Sequence, residues 1–144
     1  CNGVFIKKDI ALKNAFSEIR ELSASEDYLL WLQLAAQHPI LNNNTITSTI
    51  IEHDQRSVLS INKEALIKRK ELMLKLALED SHIKNFYKEQ LTQLKLNTYS
   101  YIALHLIMAK EKKTGVNFLK RAVRTDFNFI FSKRFLATIK HLLF

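Results

Sequence analysis

Glu26 and Asp27 are adjacent carboxylates, and the nine residues that follow, Tyr28 to Ala36, are apolar except for Gln33. A carboxylate within hydrogen-bond reach of a hydroxyl can take its proton as a new bond forms, provided something rigid holds it there. A helix that is apolar on nearly every side is expected to be buried on nearly every side, and so to fix its own first turn. These residue types, in this order, suit a general base presented by a core helix. They also suit plain capping, because the first turn of a helix carries unpaired N–H groups and the positive end of the dipole. The pair alone leaves both open.

The elements around the pair can be read from spacing. Ser23 and Glu26 have the three-residue separation of a capping box, so the helix is expected to start there. Pro39 ends it near Gln37. Ahead of it lie a short β-type run from Gly3 to Ile6, a brief helix over 10–16 capped by Asp9, and a polar loop over 17–25. Behind it, Ile40 to Ile51 is rich in Thr and Ile and reads as extended, with a turn at Asn42 to Asn44. From Asn62 the apolar residues fall at helical spacing. Asn62 and Ser81 are expected N-caps, a third helix stops before Gly115, and two more follow. The expected fold is mainly α (α+β): a small α/β remnant with two or so strands over 1–60, then a bundle of about five helices over 61–144.

Composition points the same way. Only 2 Gly and 1 Pro in 144 residues argue against a β-sandwich. The single cysteine, Cys1, excludes an internal disulfide. No apolar run approaches the roughly 18 residues of a membrane-spanning helix. The chain opens on Cys1-Asn-Gly3, where no signal peptide is expected, and it is expected to be a piece of a longer protein. Charge divides the chain. Residues 1–60 hold 5 Lys/Arg against 7 Asp/Glu; residues 61–144 hold 17 against 7. The net +8 therefore belongs to the second part.

The order Asn2-Gly-Val-Phe-Ile-Lys-Lys8, Phe16-Ser-Glu18, Ser25-Glu-Asp-Tyr-Leu-Leu-Trp31, His38-Pro-Ile40 and His53-Asp-Gln-Arg-Ser57 resembles the C-terminal part of a family 2 glycosyltransferase of the inverting, GT-A type. The Glu-Asp pair opening a Leu-Trp helix is the specific part of this resemblance, which spans about residues 2–60. It departs from the family pattern in three ways. Trp31 stands one position late, and Gln33 occupies a place where many members have Arg. No Asp-x-Asp motif and no phosphate-cradling Gly loop occur in the chain.

The resemblance implies transfer of a sugar from a nucleotide-diphosphate sugar to an acceptor hydroxyl of a glycan or glycolipid, in cell-surface polysaccharide synthesis. It implies Asp27 as the base, with Glu26 and Trp31 on the acceptor side; capping for Glu26 and core packing for Trp31 are the plain alternatives. It implies that His53 ligates a divalent metal, Mn or Mg, and that Arg56 meets the diphosphate, since imidazole binds such ions and guanidinium pairs with phosphate oxygens. The donor-binding half would precede residue 1, so this fragment alone is expected to be inactive.

The basic tail is separate from that chemistry. Six of the 9 Phe fall in the last 30 positions, interleaved with Lys120, Arg121, Arg124, Lys133, Arg134 and Lys140. Such a surface suits an anionic membrane, contacted through residues 115–144, and an enzyme resting on the inner face of the cytoplasmic membrane. The alternative function is a non-catalytic helical module that docks on membrane or protein. No nucleic-acid motif accompanies the charge, so nucleic acid is not an expected partner. Self-association into a homo-oligomer is left open.

Overall fold

The computed structural model describes residues 4–42, 45 and 62–143. Among the described residues there are seven α-helices: α1 (Lys8–Ala11), α2 (Glu26–Gln37), α3 (Lys63–Glu79), α4 (Ser81–Phe86), α5 (Leu91–Met108), α6 (Lys112–Thr125) and α7 (Lys133–Leu143). Three 3₁₀ turns punctuate them, at Arg20–Leu22, Lys88–Gln90 and Phe127–Phe131.

Among the described residues there is no strand, which corrects the expected α/β remnant. Val4 to Ile6 has the composition of a strand but is irregular and exposed, with Phe5 95% accessible. A β-type run needs a neighbouring strand to take its backbone hydrogen bonds, and no described segment supplies one. Ile40 to Asn42 is also irregular. The rest of the expected extended segment, the turn beyond Asn42 and the expected boundary at 60/61 lie outside the described residues. The brief early helix is shorter than expected, four residues at Lys8–Ala11.

α5 is the axis of the bundle. Its Leu96, Ile102, Ala103, Leu106 and Ile107 are buried, with α6, α7 and α3 packed around it. The two polar residues buried on it are satisfied locally: the Thr98 hydroxyl donates to the Leu94 carbonyl at 2.9 Å and the Ser100 hydroxyl to that of Asn97 at 3.2 Å. α6 presents Gly115, Phe118, Leu119 and Ala122 along one stripe, the i, i+3, i+4, i+7 spacing of a helix face.

Gly115 was expected to follow a helix end. It sits inside α6 instead, and α5 already stops at Met108. A Cβ on Gly115 would come within 2.5 Å of Ile107 Cγ1 and 3.2 Å of the Ala103 carbonyl oxygen, so the glycine lets the two helices approach closely. The turn between them is closed by Lys110 with φ 65°. The Lys110 N–H donates to the Ile107 carbonyl and the Glu111 N–H to that of Leu106, at 3.0 and 2.9 Å, the pairing of a Schellman motif.

A second, smaller cluster joins Leu22, Leu29, Met73, Ala77 and Ile83. α3 serves both cores, with Leu66 in the first and Met73 and Ala77 in the second. Asn62 caps it as expected, accepting from the Ala65 N–H at 2.9 Å. The cap of α4 is Asp80 rather than Ser81; its carboxylate accepts from the Ile83 N–H at 3.0 Å. Gln33 of α2 donates to the same carboxylate at 3.0 Å, tying α2 to the α3–α4 corner.

Candidate functional site

α2 lies against α3 and α4 and buries Leu29, Leu30 and Leu34. It is not enclosed on nearly all sides as its composition suggested. Tyr28 is 43% exposed and Gln37 is exposed. Apolar content fixes what a helix can bury, whereas the number of packed neighbours decides what it does bury.

The start of α2 is nevertheless well fixed. Leu22 to Ser25 forms a turn in which the Ser25 N–H donates to the Leu22 carbonyl at 2.7 Å, with Ala24 at φ 67°. Ser25, not Ser23, is the N-cap. Its backbone N–H donates to Glu26 Oε2 at 2.9 Å, and its buried hydroxyl accepts from Lys70 Nζ at 3.0 Å. Glu26 is thus held by the backbone it follows, which is the capping role weighed above. Asp27 Oδ1 accepts from the Tyr28 N–H at 2.7 Å. Burial and the charge of Arg69 hold the Lys70 pKa below its usual value, and the charge of Asp27 works against them.

Glu26 and Asp27 open on a hollow of about 780 Å³, whose other walls are Phe16, Ser17, Glu18, Ile19, Arg20 and Ser23. The hollow is open to solvent and mixed in character: three carboxylates, one guanidinium, two hydroxyls and two apolar side chains. Trp31 is not among the lining residues. It meets Phe16 edge to face, ring centroids 6.2 Å apart, and so braces the apolar wall from behind. Of the five expected site residues, the structure brings Glu26 and Asp27 to one cavity and places Trp31 one contact away. His53 and Arg56 lie outside the described residues.

Among the described residues no group of three or more His, Cys, Asp or Glu side chains is placed to hold a metal ion. His53, the residue that the resemblance implies as a ligand of the divalent ion, lies outside those residues. Arg20, Ser17 and Ser23 were not anticipated as site residues. The only signal for them was the polar loop over 17–25, which says nothing about where its side chains turn.

Among the described residues, no helix is long and apolar enough to cross a membrane. Comparison of the chain with protein-family models, with curated proteins and with solved structures gives no match.

Proposed function

We propose that this chain is the C-terminal, acceptor-side part of an inverting glycosyltransferase of the family 2 kind, acting in cell-surface polysaccharide or glycolipid assembly, with Asp27 as the general base. The observation that supports it most is the position of Asp27. It lies on the first turn of a helix anchored by Leu29, Leu30 and Leu34, and it opens on a hollow of about 780 Å³ lined by both polar and apolar residues.

The chemistry needs one base. Asp27 takes the proton of the acceptor hydroxyl as that oxygen bonds to the anomeric carbon. The bond from this carbon to the donor's diphosphate oxygen breaks, and its electron pair leaves with the nucleoside diphosphate. Glu26, held on the Ser25 N–H, and Arg20 supply acceptor and donor groups for the remaining sugar hydroxyls. Phe16, braced by Trp31, gives an apolar wall for a ring face. A preceding half would supply the rest of the donor site, with His53 and Arg56 as this chain's expected contributions toward the divalent ion and the diphosphate.

The test is Asp27→Asn in the enzyme carrying that half. Turnover should fall by about 10²–10⁴ while donor binding is kept, the range typical of a lost general base. Near-normal turnover removes the assignment.

A second reading is a non-catalytic module that docks on an anionic membrane. It is favoured by Phe127, Phe131, Leu136 and Leu143, which are 68%, 78%, 61% and 71% exposed beside the exposed Lys133, Arg134 and Lys140. Co-sedimentation with anionic but not neutral vesicles, weakened by salt, is its expected result.

A further inference from the structure

Four nitrogen-bearing side chains from three helices converge behind the start of α2. Lys70 of α3 reaches Ser25 Oγ at 3.0 Å and lies over the Tyr101 ring, 4.8 Å from its centroid. The Tyr101 ring rests on that of His105, with centroids 4.1 Å apart. Arg134 of α7 donates to Ser100 Oγ at 3.1 Å. Arg69 donates through one terminal nitrogen to the Ser23 carbonyl at 3.1 Å, while its Nε is buried without a hydrogen-bond partner.

The neighbouring carboxylates are committed elsewhere. Glu21 pairs with Lys68, Glu71 with Arg121 and Glu111 with Lys63. Among the described residues no ion pair joins Arg69, Lys70 or Arg134 to an acid. Among the described residues, Asp27 is the acid whose charge reaches Lys70. Burial, and then the charge of Arg69, lower the Lys70 pKa. Burial, and then the charges of Lys70, Arg134 and Arg69, lower that of His105. Cations gathered in a partly desolvated place repel one another unless an anion joins them.

We propose that Arg69, Lys70, His105 and Arg134 form a site for a phosphate-bearing anion, between α3, α5 and α7. The donors suit phosphate oxygens. Lys70 keeps further N–H groups beyond the one given to Ser25, Arg69 has guanidinium N–H groups besides the one given to the Ser23 carbonyl, and the Arg134 fork is exposed at one side. Ser25 and Ser100 fix the Lys70 and Arg134 head groups, and the Tyr101 ring lies under the Lys70 ammonium and against the imidazole. The site adjoins the hollow across the Ser23–Ser25 turn, yet it requires no sugar transfer. The same chemistry serves a soluble diphosphate and a phosphorylated lipid headgroup.

The experiment titrates inorganic pyrophosphate into the full chain by calorimetry at low salt, following the His105 ring resonances by NMR. A parallel arm measures co-sedimentation with vesicles of phosphatidylcholine containing phosphatidylglycerol. Arg134→Gln removes an exposed head group and leaves the fold, and Lys70→Met removes the ammonium while keeping an unbranched side chain of similar length. Each should weaken binding about tenfold, roughly the loss of one charge-assisted hydrogen bond, whereas Lys88→Gln, an exposed lysine elsewhere, should change it less than about twofold. Loss of pyrophosphate binding alone in these variants identifies a soluble ligand; a matching loss of vesicle binding identifies a headgroup. If neither probe binds, or if Lys88→Gln weakens binding as much as Arg134→Gln does, the site does not exist.

Discussion

The layer formed by residues 4–42 and the bundle formed by residues 62–143 solve the burial problem differently. In the bundle, α5 is packed by three helices, and its buried hydroxyls find carbonyls one turn away. Among the described residues, no core cluster is made by the first layer alone. Its buried Leu22 and Leu29 pack on Met73, Ala77 and Ile83, all contributed by α3 and α4. Meanwhile Phe5, Leu12, Phe16, Ile19 and Leu41 are left exposed. The candidate hollow sits in the layer with few neighbours, and the candidate anion site sits where the layer meets the bundle. Rigidity is lent to the functional surface from behind.

Truncation in each cluster separates the two regions most clearly. Leu106→Ala, at the centre of the bundle, should cost about 4 kcal/mol, near the top of the range for buried leucines. Leu22→Ala, also fully buried, should cost about 3 kcal/mol and lose amide protection in α2 before α5. Urea denaturation with hydrogen exchange checks both; equal loss of protection across all helices would erase the distinction.

A smaller effect is expected at the corner that joins the regions. Asp80→Ala removes the α4 cap and the Gln33 tie, and should cost about 1–2 kcal/mol at neutral pH. Burial works against the Asp80 charge, but the Ile83 N–H, the Gln33 amide and the His82 N–H together hold its pKa below the usual 3.8. A carboxylate depressed on folding stabilises above its unfolded pKa and loses that contribution as pH falls through the folded value. The gap between wild type and variant should therefore close in acid, below about pH 4, in thermal melts across pH.

The smallest effect is a gain. Ala24 and Lys110 have φ of 67° and 65°, a conformation that costs a residue with a Cβ roughly 1 kcal/mol. Ala24→Gly and Lys110→Gly should each raise stability by up to about 1 kcal/mol, the first in the layer and the second in the bundle.

Local signals in the sequence carried well where one residue decides one event. Asn62 was legible as a cap because its short amide competes for backbone N–H groups wherever a helix begins. The helical spacing after it marked α3 to α7. Other signals have two meanings. Gly115 suits a helix end and also a close helix crossing, and only the Ile107 contact distinguishes them. Val4 to Ile6 suits a strand only if another strand lies beside it. At the candidate site, the Glu26–Asp27 pair is legible because the two carboxylates are contiguous in the chain. Arg69, Lys70, His105 and Arg134 were not, since no spacing links positions on three different helices.

The close seam between α5 and α6 also bears on the order of folding. Ile107 and Gly115 meet across eight residues of chain, with the Lys110 turn between them, so little loop entropy is lost in bringing them together. The first layer must instead wait for contacts such as Gln33 to Asp80, 47 positions apart. The two helices should therefore pair first and give the later segments a template, and pulse-labelled exchange during refolding should protect α5 and α6 ahead of α2.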